Sequence, residues 1–173
     1  MSLSYTFPIK DKYFITSPFG SRSAPTSGAS SNHQGIDIGV PVGTSVYAAA
    51  SGTVIKNGYT SARGNYVEIN HGNGNTTLYQ HLSTAAVKIG DTVKQGQVIA
   101  KSGNSGISTG AHLHFEMREN GKAINPLVGI KSGQAAGEGD GILSNLKTDS
   151  LLEFIKDKWW LIAGGLILIA VLK

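Results

Sequence analysis

Apolar and polar residues alternate over short distances through the first 130 residues of the chain. The apolar stretches are short and are closed by Gly, Asn, Asp or Ser, the residue types that favour tight turns. No stretch of useful length in this part repeats apolar residues at the spacing of a helix. We therefore predict an all-β domain over residues 1–130, with strands at residues 45–50, 52–56, 66–70, 76–79, 97–100 and 112–117.

Two connections in this domain have distinct compositions. The sequence Asn-His-Gly-Asn-Gly-Asn at residues 70–75 predicts a tight hairpin turn, because Asn-Gly pairs accept the left-handed backbone that such turns require. Residues 21–31 are polar and rich in Ser and Gly, which predicts a long loop. We expect this loop and residues 57–65 to form the walls of a groove.

The pattern changes after residue 130. Residues 131–149 open with a Gly-rich stretch of small and charged residues, which predicts a flexible linker. Ser150 and Glu153 have the spacing of a capping box, and we predict one helix over residues 150–173. Its apolar run, from Trp159 to Leu172, would be about 21 Å long as a helix, against ~30 Å for the hydrocarbon core of a bilayer.

This apolar run predicts a membrane anchor. Charged residues before it and Lys173 after it suit the two headgroup regions, and its two Trp residues suit an aromatic belt. Gly164 and Gly165 would allow close packing, and thus association with other membrane proteins. The alternative interpretation is a helix that docks on a partner protein.

Composition limits the chemistry of the chain. It contains no Cys, which excludes disulfides, thiolate metal sites and a Cys nucleophile, so any metal site must use His and carboxylate ligands. The net charge of +4 is compatible with ordinary solubility or with attraction to an anionic polymer such as a bacterial wall. Its basic residues are scattered and form no cluster interleaved with aromatic residues, so we expect no nucleic-acid binding.

Four of the five histidines fall in three short motifs. They are His-Gln-Gly-Ile-Asp at residues 33–37, Tyr-Gln-His-Leu around His81, and His-Leu-His at residues 112–114. In an extended strand, side chains two or four residues apart share a face. His112 and His114 would then point one way, while residues 111, 113, 115 and 117 would point into a core.

The same geometry applies to His33 and Asp37 if their segment is extended, and Gly35 between them leaves room for a close approach. Two such segments side by side can present two imidazoles and one carboxylate to a single ion. Three protein ligands and an open position are typical of a catalytic zinc site, although other first-row metals accept the same ligands. We interpret Glu116 as a supporting or surface residue, and His71, at the hairpin turn, as structural.

These motifs, in this order, resemble those of the lysostaphin/LytM family of zinc metallopeptidases, peptidase family M23. The resemblance covers residues 7–127 and includes Ser-Pro-Phe-Gly-Ser-Arg at 17–22, Gly-Ile-Asp-Ile at 35–38, Pro-Val-Gly-Thr at 41–44 and Asn-Pro at 125–126. It implies a compact β-sandwich or barrel-like domain that hydrolyses peptide bonds in bacterial peptidoglycan. It further implies that His33, Asp37 and His114 bind one zinc ion. By the same resemblance, His81 and His112 are catalytic and activate water or stabilise the oxyanion.

Two other functions are compatible with parts of the sequence. Residues 87–100 resemble half of the barrel of biotinyl or lipoyl carrier domains, but the chain has no lysine in the motif that such a carrier needs, and a carrier would not use four clustered histidines. The main alternative is a non-catalytic peptidoglycan-binding or structural protein that retains the zinc site.

The expected location follows from the wall substrate and the apolar tail. We expect a membrane-anchored protein that acts on the cell wall, in the periplasm or at the cell surface, or a component of a bacteriophage virion. Residues Met1 to Lys10 lack the apolar segment of a secretory signal, and the phage assignment would account for that.

Overall fold

A computed structural model of the chain describes residues 4–133. Within that range the chain forms twelve strands and one short helix. The elements are β1 (Phe14–Ser17), β2 (Gly20–Ser21), β3 (Asn32–His33), β4 (Ile36–Gly39), β5 (Ser45–Tyr47), β6 (Gly52–Thr60), β7 (Gly64–Gly72), β8 (Asn75–Ala85), β9 (Thr92–Val93), β10 (Val98–Ser102), β11 (His112–Glu119), β12 (Lys122–Ile124) and α1 (Pro126–Gly133).

Ten of these strands form one antiparallel sheet. Its main path runs β1-β4-β11-β8-β7-β6-β9, β12 pairs with β11, and β10 joins β5 to β8. Strands β2 and β3 form a separate two-stranded sheet. The prediction of a β-rich domain is confirmed, and each of the six predicted strands overlaps an observed one. The six strands that were not predicted have only two to four residues each, too few to show a periodic pattern.

The core lies beneath the centre of the large sheet. Alternate residues of β11 enter it, since Leu113 and Phe115 are fully buried and Met117 is nearly so. Residue 111 was expected to join them, but Ala111 is exposed because β11 begins only at His112. The other fully buried apolar side chains include Ile36, Ile38, Val46, Val67, Ile69, Tyr79, Leu82, Val93 and Ile99.

The predicted hairpin turn joins β7 to β8. Asn73 and Gly74 both have positive φ, 51° and 76°, the conformation of the two central residues in the turn that best matches the twist of paired strands. The prediction from the Asn-Gly pair is confirmed.

Strand β8 contains an irregularity with a functional consequence. Between Val67↔Tyr79 and Asn65↔Leu82 its register against β7 shifts, so that Gln80 and His81 together face one residue of β7. Such a β-bulge bends a strand and redirects its side chains. His81 has φ of 61°, which is uncommon for a residue with a side chain. At this point β8 stops pairing with β11 and starts pairing with β10.

The helix α1 corrects two predictions. No helix was expected before residue 130, and residues 131–133 were assigned to the linker, yet α1 spans Pro126–Gly133. Pro126 suits the first helical position because it lacks the N–H that would be unpaired there. The side chain of Asn125 accepts a hydrogen bond from the Leu127 N–H and so caps the helix.

The rest of the predicted linker and the helix predicted over residues 150–173 lie outside the described residues. Within residues 4–133, no helix has both the length and the apolarity needed to span a membrane.

Candidate metal centre and active site

Strands β4 and β11 bring the first two predicted ligands together. They are antiparallel neighbours, and their register places His114 directly opposite Asp37. His112 and His114 share a face as expected, since His112 Nε2 and His114 Nδ1 lie 3.7 and 2.8 Å from the same atom, Asp37 Oδ1.

The third predicted ligand reaches the same point by a turn. Residues 33–37 do not form one extended strand, the condition under which His33 and Asp37 would share a face, because β3 ends at His33 and β4 begins at Ile36. Gly35 lies in this turn, where a Cβ atom would come within 2.3 Å of the Phe115 carbonyl oxygen. The missing side chain therefore lets the turn pack against β11, and His33 folds back beside Asp37.

Three potential ligand atoms form a compact triangle. The His33 Nε2 atom lies 3.1 Å from Asp37 Oδ1 and 3.0 Å from His114 Nδ1, and the latter two atoms are 2.8 Å apart. These residues are the group within the described range that has the spacing to hold a metal ion. An ion at about 2.0–2.2 Å from each ligand in tetrahedral geometry needs separations of about 3.3 Å, only a few tenths of an ångström larger.

The outer hydrogen bonds of the two imidazoles direct lone pairs into this triangle. His33 Nδ1 lies 2.7 Å from the carbonyl oxygen of Pro18, which can only accept, so His33 Nδ1 carries the proton. His114 Nε2 donates in the same way to Glu116 Oε1 at 3.1 Å. Two imidazole lone pairs and a carboxylate oxygen therefore converge. These acceptors repel one another unless a cation lies between them, so the residues fit a metal ion.

Asp37 is held in its ionised form. Its second oxygen, Oδ2, accepts a hydrogen bond from Arg22 at 2.8 Å, which leaves Oδ1 facing His33 and His114. Burial by itself raises the pKa of Asp37, but the neighbouring side chains of His114, His33 and Arg22 outweigh it and lower the pKa well below its ordinary value. An ionised carboxylate is the form that a metal ion requires.

Glu116 fixes the orientation of His114 and is itself firmly held. The residue is 4% exposed, and its Oε1 atom also accepts from Gln80 Nε2 at 2.8 Å. Arg118 donates twice to Oε2, at 2.8 and 2.6 Å. Burial raises the pKa of Glu116, but His114 and Arg118 outweigh it and keep the pKa low. The interpretation of Glu116 as a supporting residue agrees with this network, in which it bonds to a potential ligand.

His81 and His112 lie side by side next to the triangle. Their rings are 4.7 Å apart, and His112 Nε2 is 3.7 Å from Asp37 Oδ1. His81 Nδ1 donates to the carbonyl oxygen of Ser105 at 2.7 Å, and His112 Nδ1 donates to that of Gly110 at 2.8 Å. Each imidazole therefore leaves its Nε2 atom available for chemistry.

The environment of His81 keeps its imidazole neutral. Burial lowers the pKa of His81 to about 4, although the bond to Ser105 acts in the opposite direction. At neutral pH its Nε2 therefore carries a lone pair that can accept a proton. The bulge in β8 gives the side chain this position, and the His81 N–H donates to the carbonyl oxygen of Arg63.

A groove opens above these residues. Residues 28–30 of the loop line it on one side, and Ala62 and Arg63, at the turn between β6 and β7, line it too. His33, His81 and His114 also face this groove. The expectation that the long loop and residues 57–65 form its walls is confirmed for these parts of the two segments.

The structure also identifies supporting residues for which the sequence predicted no role. Arg22, Gln80 and Arg118 hold the two carboxylates of the centre. Arg118 lies two residues beyond Glu116 on β11, so the spacing that places residues 112, 114 and 116 on one face could also have predicted its position. His71 lies elsewhere, bonded to the Ser51 carbonyl and to Thr77, in agreement with a structural role.

Comparison with known proteins places this geometry in a family. The peptidoglycan DD-endopeptidase ShyA of Vibrio cholerae is 40% identical over 122 residues, which cover 70% of this chain and 28% of ShyA. The chain spans about three tenths of the length of curated relatives such as ShyA.

Two solved structures have the same fold. A zinc-containing peptidase from Vibrio cholerae superimposes with a TM-score of 0.67 and 34% identity, over 79% of this chain and 41% of that one. The catalytic domain of the antimicrobial peptidase lysostaphin from Staphylococcus simulans gives a TM-score of 0.62 and 34% identity, over 69% of this chain and 92% of that domain. The model of peptidase family M23 matches residues 31–126, which include all the predicted site residues, and the chain belongs to this family.

Proposed function

We propose that this chain is a zinc-dependent endopeptidase that hydrolyses peptide bonds in peptidoglycan. The observation that carries the proposal is the triangle of His33, Asp37 and His114, with two further imidazoles beside it. Three ligands on one side leave a position open toward the groove, as in catalytic zinc sites and unlike closed structural ones. A purely structural metal site has no use for two additional histidines with available Nε2 atoms.

In this proposal the residues of the centre have separate roles in binding the metal, accepting a proton and stabilising the oxyanion. A bound zinc ion would lower the pKa of water to about 7 and polarise the scissile carbonyl. His81, which is neutral, accepts the proton of the attacking water through Nε2. His112 lies beside His81 and, in a form that has taken a proton on Nε2 from solvent, would donate from Nε2 to the developing oxyanion. Arg22 and Glu116 keep Asp37 and His114 in their binding orientations.

The choice of peptidoglycan as substrate rests on the relatives. ShyA is named as a peptidoglycan DD-endopeptidase and lysostaphin as an antimicrobial peptidase. An open groove, rather than an enclosed pocket, also suits an extended peptide within a polymer. We propose that the bond cleaved lies in a cross-bridge or a stem peptide.

Purified peptidoglycan provides the test of this function. We expect the protein to release soluble fragments whose masses correspond to hydrolysis of a peptide bond, with no cleavage of glycan strands. Binding to the polymer without any released fragment would instead support the non-catalytic alternative.

The bond between Glu116 and His114 leads to a prediction about metal affinity. Replacing Glu116 by Gln leaves Arg118 without its charged partner and weakens the hold on the His114 tautomer. We expect zinc affinity to fall about 10- to 100-fold, measured by competition with a chromophoric chelator. Glu68→Gln is the matched control, because Glu68 is also a buried carboxylate bonded to a basic residue, Lys56, but lies outside the centre. Equal losses of affinity in the two variants would contradict the specific role of Glu116.

We also propose that residues 150–173 anchor the protein to a membrane, with the preceding residues as a linker, at the cell wall or in a phage virion. Since the apolar run has no polar face, lipid would remove a large apolar area from water. We expect the full chain to float with liposomes, whereas a chain truncated after Gly141 stays in the soluble fraction and still cleaves purified walls. A full-length protein that remains soluble and monomeric without detergent would refute the anchor.

A further inference from the structure

Three charged side chains line the groove over the metal centre, and two of them are already paired. Arg22 bonds to Asp37, and Glu116 bonds to both His114 and Arg118. The third is Arg63, which forms no ion pair with a carboxylate within residues 4–133. Its guanidinium carbon lies 5.4 Å from the centre of the Tyr66 ring. A cation so placed is partly oriented by the ring and still free to bind an anion.

The backbone of Arg63 is fixed relative to the active site. Its N–H donates to Thr60 Oγ1 at 3.1 Å, and its carbonyl accepts from the N–H of His81 at 2.8 Å. The next residue, Gly64, packs so closely on Ser105 that a Cβ atom there would clash with it. The carbonyl oxygen of Ser105 in turn accepts a hydrogen bond from His81 Nδ1. The base of the Arg63 side chain is therefore held one hydrogen bond from His81, while the guanidinium end is not committed to a protein carboxylate.

From this arrangement we infer that Arg63 recognises a free carboxylate of the substrate close to the scissile bond. Arginine presents donors in a planar fork that matches a carboxylate. The favoured substrate class is therefore a stem peptide, which carries free carboxylates, rather than an uncharged glycine bridge. This inference rests on the proposed peptidase function and adds the substrate class to it.

A pair of synthetic peptides tests the inference. The two have the same sequence around the scissile bond and differ only in one neighbouring group, a free carboxylate in one and the primary amide in the other. We expect the wild-type protein to cleave the carboxylate form with a kcat/KM about 10- to 100-fold higher, the usual effect of a charge-assisted hydrogen bond. Arg63→Ala and Arg63→Gln should reduce this ratio to near one, and Arg63→Lys should leave part of it. Lys88→Ala, which removes a positive charge from an exposed position outside the groove, should retain the full ratio.

The possible results distinguish failure of the Arg63 inference from failure of the proposed peptidase function. A wild-type ratio near one, or a ratio that survives in Arg63→Ala, overturns the role of Arg63 even if both peptides are cleaved. If neither peptide is cleaved, the peptidase function fails for these sequences, and the same pair is compared by fluorescence anisotropy of labelled peptides. Preferential binding of the carboxylate form that is lost in Arg63→Ala would then support the inference, and equal binding would overturn it.

Discussion

Replacement of His114 by alanine should remove both the metal and the activity. His114 contributes one corner of the ligand triangle, 2.8 Å from Asp37 Oδ1 and 3.0 Å from His33 Nε2. Its loss leaves two ligands, too few for a stable zinc site of the catalytic type. We expect less than one tenth of an equivalent of zinc after gel filtration, roughly the occupancy left by a large loss of affinity, and hydrolysis of peptidoglycan at the background rate.

A second histidine variant controls for general effects of the substitution. His71→Gln alters a histidine that is bonded to Ser51 and Thr77 away from the centre. It should retain about one zinc per chain, and circular dichroism of both variants checks that each is folded. If folded His114→Ala keeps a full equivalent of zinc, while His112→Ala loses it, the roles of these two residues are the reverse of those assigned here.

Replacement of His81 or His112 by alanine should remove activity without removing the metal. Neither imidazole belongs to the ligand triangle, and each leaves Nε2 available while Nδ1 bonds to a backbone carbonyl. Proton transfer and oxyanion stabilisation each contribute about 10²–10⁴-fold to a rate. We expect kcat to fall by a factor in this range for each variant, with KM changed much less.

The double variant distinguishes shared from separate roles. If the two histidines act in one proton-transfer step, their combined replacement should cost little more than the worse single replacement. Metal analysis accompanies the kinetics. Full activity in either folded, zinc-loaded single variant would show that its histidine does not take part in the reaction.

Spacing along one strand accounts for part of the candidate site, whereas the ligand roles of His33, Asp37 and His114 were implied by the resemblance to family M23. Period-two spacing on one strand places His112 and His114 on the same face and Leu113 and Phe115 in the core, whatever the partner strand. The absence of Cys restricted the candidate ligands further. Asp37 lies opposite His114 because of the register of β4 against β11. The pattern within a single strand cannot predict that register.

Other features of the site depend on contacts between segments far apart in the sequence. The bulge that positions His81 arises because two residues of β8 face one residue of β7. No local residue preference predicts a positive φ at a histidine. Arg22 reaches Asp37 across fifteen residues because a loop folds back on the short pair of strands β2 and β3. Those strands have two residues each, so no pattern of polar and apolar positions could predict them.

Titration of the metal-free protein with zinc tests the central claim most directly. Chelator is used to strip the full-length protein, which is then given increasing zinc while bound metal and release of fragments from purified peptidoglycan are followed together. We expect no hydrolysis without metal, a linear rise in rate, and a plateau at about one zinc per chain, the stoichiometry of a single three-ligand catalytic site. Hydrolysis that continues after complete removal of metal, or zinc that binds stoichiometrically at His33, Asp37 and His114 without producing hydrolysis, would contradict this account.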